Sequence, residues 1–348
     1  MTDHGTTRHP LVELALARFR EFVREPEAIF WVFFFPILVA LSLGIAFRTQ
    51  GDPPVHAGVL AGPGSDGLVS ALGSEPRISV RAVQPGQADR SLREGEIEVV
   101  VVPGEPPTYR FDPARPESRL ARLVVDQALQ RAHGRTDRFT AREERVEVIG
   151  SRYIDWLIPG LAGMNIMGTS MWGIGFSLVG ARTKRVLKRL AATPMRRWHY
   201  LAAQVLARLV FLVLEVGGLL VFAWLAFGVP VRGSLGALTL VSVVGALSFG
   251  GLALLLAARP RTIEAVSGWM NVVMMPMWVL SGVFFSSAHF PAAAQPLIHA
   301  LPLTALNDAL RAVMLDGASI PAIGGELAVL AAWGAGCFGV ALRVFRWR

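Results

Sequence analysis

The sequence predicts an α-helical polytopic membrane protein with six transmembrane helices and an inserted extracytoplasmic α/β domain between helices 1 and 2. Three observations predict it. Long uncharged runs recur along the chain, among them Trp156 to Ala181, 26 residues without a charge. The mean hydropathy of +0.46 is too high for a soluble chain of this length. The third is the placement of charge: Arg182 to Arg208 carries eight basic residues and no acidic one. About 20 apolar residues rising roughly 1.5 Å each cross a hydrocarbon core of about 30 Å, and short loops rich in Lys and Arg stay on the cytoplasmic side.

In chain order, residues 1–27 form a cytoplasmic segment whose Pro10 to Glu27 stretch sets Leu11, Leu14, Ala15 and Phe22 against Arg18, Arg20, Glu21 and Glu25. That is the pattern of an amphipathic helix lying on the membrane surface. The first span is 28–47, which begins too late and runs too long for a cleavable secretory segment. Residues 48–155 hold 15 Arg and 16 acidic residues, a balanced charge suited to an outer domain, since long domains cross the membrane regardless of charge. Within it, Val55–Leu60, Ile78–Val83 and Ile97–Val102 read as strands, and Arg145–Ile149 as a returning strand. Asp66–Leu72, Gln87–Arg93 and a longer Glu117–His133 read as helices, the last with Leu120, Leu123, Val124 and Ala128 on one face. Alternating strands and helices favour a mixed or parallel sheet.

The second span, 156–181, leads into the basic loop 182–208. Residues 209–348 supply spans at 209–231, 234–258, 265–286 and 322–342, with a re-entrant outer segment at about 287–321 that is too polar to span and too apolar for a free loop. Six spans put both termini in the cytoplasm of a cell whose cytoplasmic membrane holds the chain. Every short basic loop then falls on one side.

Charge and motif inventory exclude several function classes. The net charge of the whole chain is +8, and the 182–208 loop alone accounts for it, so no nucleic-acid-binding face is indicated. Thr183 precedes Lys184 and Leu187 precedes Lys188, the only lysines, so no Gly-Lys-Ser/Thr phosphate loop exists. The seven histidines show no metal-ligand spacing, the lone Cys337 forms no intramolecular disulfide, and no Gly-x-Ser-x-Gly elbow occurs. The chain is therefore expected to hold no metal, no cofactor and no catalytic site.

The basic loop has internal order. Lys184/Lys188 and Arg185/Arg189 are i, i+4 pairs on a short helix that shows Leu187 and Leu190 on another side. Thr193 is an N-cap and Pro194 a first-turn residue for the next helix, in which Trp198 and Tyr200 are interface anchors. Charge alone equally fits a topology signal that touches anionic lipid. Inside the spans, Glu215 lies two turns past Arg208, about 10 Å by helix rise, either working within the bundle or reaching back to an arginine. Asn165 and Asn271 read as hydrogen-bond glue between helices, and Ala331/Ala335/Gly339 with Ala332/Gly336 as a ridge for close helix packing.

Leu157-Ile-Pro159-Gly160-Leu-Ala-Gly163-Met-Asn165-Ile-Met167, then Leu187-Lys-Arg-Leu190-Ala-Ala-Thr193-Pro194-Met195, resembles the membrane subunit of an ABC-2 type exporter. Ser281-Gly282-Val-Phe-Phe285, Phe290-Pro291 and Leu301-Pro302-Leu303-Thr304 resemble the C-terminal signature of the same family. The resemblance implies a six-helix permease that pairs with a second permease chain and couples to two copies of an ATP-binding subunit, which would carry ATP and Mg. It implies that 182–197 docks on that subunit, with Arg261 in Arg259–Glu264 as a second contact, and that the cargo is an amphiphilic small molecule, drug or lipid-linked compound. Two other classes share the spans: a membrane-anchored sensor or assembly protein with an outer ligand-binding domain, and an ion-coupled secondary transporter, which would show inverted repeats.

Overall fold

The computed structural model describes residues 24, 26–47, 54–136, 139, 150, 152–183 and 197–344, with the backbone alone at 28 and 197–207. The Pro10–Glu27 amphipathic helix up to residue 23, the Arg145–Ile149 strand and residues 184–196 of the basic loop lie outside them. The chain divides into two compact units, one of Met1–Arg48 with Glu147–Arg348 and one of Thr49–Val146. The first described elements are α1 (Pro26–Ile29), a π-helical turn over Phe30–Phe34 and α2 (Phe35–Ala46).

The Thr49–Val146 unit is built on a four-stranded sheet of order β2-β1-β3-β4, with β1 Val55–Leu60, β2 Ile78–Val83, β3 Val99–Val102 and β4 Thr108–Phe111. β1 pairs in parallel with β2 and β3, and β4 runs back antiparallel along β3. Parallel neighbours need crossover helices, which α3 (Ser65–Gly73) and α4 (Pro85–Glu94) supply. The period of two along the strands serves two cores. Ala57, Val59, Val99 and Val101 meet Leu72 of α3 and the helix α5 (Pro116–Ala132), while Val83, Ile97 and Val100 meet Ala88 of α4. β4 is absent from the sequence reading because Thr108–Phe111 is short and follows a Pro-rich turn.

The apolar face assigned to the long helix is corrected at its two leucines, while Ala128 is buried as expected and Val124 packs against the same core. Leu120 and Leu123 are 63% and 52% exposed, and the buried stripe is Ala121, Val125, Ala128 and Leu129. Both stripes have helical spacing. The one carrying two alanines faces the sheet because Val59, Val99 and Val101 already fill the interface, and a small side chain lets the helix axis approach. Val125→Ala is expected to destabilise this unit by roughly 1–3 kcal/mol and Leu123→Ala by less than about 0.5 kcal/mol. Amide hydrogen exchange in the intact protein reads the difference.

The other unit is helical: α6 (Tyr153–Thr183), α7 (Arg197–Phe227), α8 (Leu235–Ala257), α9 (Ile263–Leu280), α10 (Gln295–Ala300), α11 (Pro302–Met314) and α12 (Gly324–Val344). α8 and α9 start where side chains cap them, Ser234 Oγ accepting from Ala237 N at 3.0 Å and Thr262 Oγ1 from Ala265 N at 3.2 Å. Among the described residues four helices are long and apolar enough to cross a membrane: Arg208–Phe227, Leu235–Ala257, Ile263–Leu280 and Ile320–Val344. Large apolar side chains cover their outer faces, Val213, Trp224, Trp269, Val272 and Leu342 among them. A fifth apolar helix, Phe30–Ala46, is shorter. The expected second span is the 31-residue α6, diluted by Gly160, Gly163, Asn165, Gly168, Thr169 and Ser170. Its first half is buried almost without a break from Ile154 to Met167, so it faces protein and has no need of an apolar surface.

α8 and α12 lie closest where both lack side chains. A Cβ added at Gly251 would stand 2.7 Å from Gly334 O, and one at Gly334 would stand 3.1 Å from Ser248 Cα. Within the chain the expected ridge of α12 makes none of this packing. Ala331, Ala332, Ala335, Gly336 and Gly339 are exposed, and α12 buries Leu330, Cys337 and Ala341. Gly251→Leu is expected to separate the two helices and lower the midpoint of thermal unfolding in detergent, whereas Ala335→Leu leaves it unchanged.

Candidate functional site

Two polar clusters lie inside the helical unit, and α6 belongs to both. The first assembles three stretches far apart in sequence. α9 ends in a turn at Ser281 and Gly282, where Gly282 has φ +69°, a left-handed conformation that glycine adopts without strain. α11 lies against this turn. Asn307 Nδ2 donates to Ser281 O at 2.8 Å, and Arg311 Nη2 donates to Gly282 O. α6 closes the cluster with glycine. A Cβ at Gly160 would meet Val283 O at 2.5 Å and Arg311 Nη2 at 3.1 Å, and one at Gly163 would collide with Asn307 Oδ1. Arg311 Cζ sits 3.5 Å from the centre of the Trp156 ring and Asp308 Oδ1 lies 3.6 Å from Nη1, so ring face, carbonyl and carboxylate share one buried cation.

The geometry fixes the path of the segment between α9 and α12. Asn307 stands opposite Gly163 and Arg311 opposite Trp156, so α11 runs antiparallel to the start of α6. Its last carbonyls are satisfied by the α7–α8 connection, Arg232 N donating to Met314 O and Gly233 N to Val313 O, each at 3.0 Å. Trp333 Nε1 donates to Ala300 O at 2.8 Å, which holds α10 beside the middle of α12. The buried helix of this region is thus Pro302–Met314.

The second cluster joins α7 to α6. Arg208 Nη2 and Glu215 Oε1 are 2.7 Å apart, with side chains 11% and 0% exposed. Seven residues are two helical turns, so both groups project from one face of α7. The guanidinium also reaches Thr169 Oγ1 at 2.6 Å and Ser170 Oγ at 3.1 Å, and Thr169 Oγ1 donates to Glu215 Oε1 at 3.1 Å. Asn165, one turn before Thr169, donates from Nδ2 to Val32 O at 3.0 Å in the π-helical turn before α2. One edge of α6 therefore carries polar links to two neighbouring helices.

The residues singled out in the sequence fall unevenly. Lys184, Arg185, Leu187, Lys188, Arg189, Leu190, Thr193 and Pro194 lie outside the described residues. Arg261 is exposed in the turn between α8 and α9. Glu215 and Asn165 are buried with the partners just named. Asn271 is exposed on α9 between Trp269 and Val272, with no hydrogen bond among the described residues, so within one chain it is not glue between helices. Thr169, Ser170, Asn307 and Arg311 are missing from the sequence reading. Asn307 and Arg311 do carry a signal, an i, i+4 polar pair on the otherwise apolar face of 302–314; Thr169 and Ser170 carry none, because hydroxyls are ordinary in membrane helices.

A buried pair broken on one side leaves an uncompensated charge, which costs about 3–5 kcal/mol, while its removal as a pair is often neutral. Arg208→Ala is therefore expected to lower the unfolding midpoint more than Glu215→Gln, and Arg208→Met with Glu215→Leu to recover most of the loss. Thermal unfolding in detergent checks the order of the three.

The family model of the ABC-2 type transporter matches residues 124–315, more than half of the chain. The inner membrane transport permease YadH of Escherichia coli K12 is 28% identical over 180 residues, which are 50% of this chain and 68% of that protein. The ABC transporter G family member 20 of Dictyostelium discoideum is 26% identical over 172 residues, 49% of this chain and 23% of that protein. The probable multidrug ABC transporter permease YbhR of Escherichia coli K12 is 24% identical over 172 residues, 49% of this chain and 47% of that protein. The matched stretch contains the α6 glycines, the Arg208–Glu215 pair and the Ser281–Gly282 turn with α11, and on that ground the chain belongs to the ABC-2 type transporter family, as a membrane permease subunit.

Proposed function

We propose that the chain is the membrane half of an ATP-driven exporter in the cytoplasmic membrane, moving an amphiphilic small molecule, drug or lipid-linked compound outward. Two permease chains and two ATP-binding subunits make the working unit, and ATP and Mg belong to the latter. Both termini are cytoplasmic, residues 48–155 face outward, and six helices cross the membrane, with α6 as the second and the 287–321 segment re-entrant from outside. Residues 182–197 dock on the ATP-binding subunit with Leu187, Leu190 and Pro194 as the knob, and Lys184, Arg185, Lys188 and Arg189 steer it electrostatically.

The observation that carries this reading is the Arg208–Glu215 pair. It stands where the apolar stretch of α7, Arg208–Phe227, begins, and it bonds α7 to Thr169 and Ser170 of α6. A displacement of the basic segment is then delivered to the helix that also holds the Ser281–Gly282 turn and α11. A membrane-anchored sensor needs no such strut between a basic loop and a central helix.

Leu187→Asp with Leu190→Asp is expected to leave membrane insertion intact and to abolish capture of the ATP-binding subunit. Arg185→Ala with Arg189→Ala weakens capture more at 0.05 M than at 0.3 M salt, because at higher salt the attraction these exposed charges supply is already screened, within about 10 Å at 0.1 M. Co-purification of the tagged chain with an ATP-binding subunit, at both salt concentrations, measures this. Normal capture and export by the double Asp variant would sink the assignment. A cysteine placed at Ser74 should react with an impermeant reagent in intact cells, and one at Thr183 only after permeabilisation.

A further inference from the structure

The two connections assigned to the cytoplasm, 182–208 and 259–262, are far apart in sequence, yet α6 ends beside the end of α8. α8 stops at Ala257, and its last carbonyls lose their helical partners as the chain turns through Arg259-Pro260-Arg261. Pro260 has no N–H, so it cannot bond back to the helix. Arg182, at the end of α6, supplies the missing donors. Its Nη1 donates to Pro260 O at 2.8 Å and to Ala257 O at 3.3 Å, and its Nη2 donates to Ala258 O at 3.3 Å. Ala257 and Ala258 are buried, so water does not serve those carbonyls equally well. The cation also meets the negative end of the α8 dipole.

We propose that Arg182 is a positioning residue that fastens the start of the basic segment to the α8–α9 turn, so that both connections present one surface to the ATP-binding partner. This rests on the docking role proposed for 182–197 and extends it to the exposed Arg259 and Arg261, which the turn carries at a set place relative to Thr183. A planar fork reaching three carbonyls fixes orientation as well as distance; a lysine at this position, with a single nitrogen, reaches fewer of them and fixes less.

The test measures distances and needs no partner. In the full-length chain with Cys337→Ser, in lipid nanodiscs, nitroxides are placed at Thr183→Cys and Arg259→Cys, and their separation is read by pulsed electron paramagnetic resonance. A second pair, Leu235→Cys with Ser319→Cys, reports on the opposite end of α8. Arg182→Ala is expected to broaden the 183–259 distribution about twofold with the 235–319 distribution unchanged, since three charge-assisted bonds are lost at one end only. Arg182→Lys should fall between Ala and the wild type. An unchanged 183–259 distribution in Arg182→Ala overturns the fastening. Broadening of both pairs in Arg182→Ala and in Arg182→Lys also overturns it, because Arg182 would then hold the helices in general. A co-purification arm separates the two layers: if the distances change as stated while the ATP-binding subunit is captured as well as by the wild type, the docking surface is overturned and the fastening stands.

Discussion

The structure depends on the close approach of α6 to a broken stretch of backbone. Between α9 and α11 the chain leaves helical geometry in the interior of an apolar bundle, where an unsatisfied N–H or C=O costs several kcal/mol. The carbonyls of Ser281 and Gly282 are served by Asn307 and Arg311, and those two side chains reach them because Gly160 and Gly163 leave the space. Each part requires the others. The glycines without the polar side chains would leave a void, and the polar side chains without the glycines would not fit.

Arginines serve this unit as much through carbonyl oxygens as through carboxylates. Arg182 bonds the end of α8, Arg152 the carbonyl of Phe227, Arg208 the carbonyl of Ile166, Arg311 that of Gly282 and Arg232 that of Leu315. A guanidinium suits the role, since it is weakly hydrated and presents five donors in one plane. All of these carbonyls but that of Ile166, which lies inside α6, stand at helix ends or breaks, so those cations mark places at which one helix is held to another. The Arg208–Glu215 pair differs in kind, being a buried charge pair along a helix.

The helices of this unit meet through two kinds of contact. α8 meets α12 at Gly251 and Gly334, where the backbones touch and sliding is opposed by direct steric contact. α7 meets α6 through Arg208, Glu215, Thr169 and Ser170, a contact made of hydrogen bonds around one buried charge pair.

The sequence alone determined the helical membrane class, because uncharged runs and the placement of Lys and Arg are one-dimensional properties. It determined β1, β2, β3 and the helices between them, because periods of two and 3.6 are local. It also marked the residues of the family motifs and the burial of Glu215. The tertiary structure alone decided where the buried stripe of α5 is centred, putting Ala121 and Val125 inward beside Ala128 and leaving Leu120 out, and it put Leu330 and Cys337 of α12 inward within the chain in place of the small-residue ridge. It decided that Asn165 bonds to Val32 while Asn271 has no hydrogen bond among the described residues, and that the short motifs at 157–167 and 281–285 converge on Arg311 and Asn307. The reason is physical. Periodicity states that a helix has an apolar face, whereas the choice of face, and of each buried polar group's partner, is made by the volume and the donors of whatever packs against it.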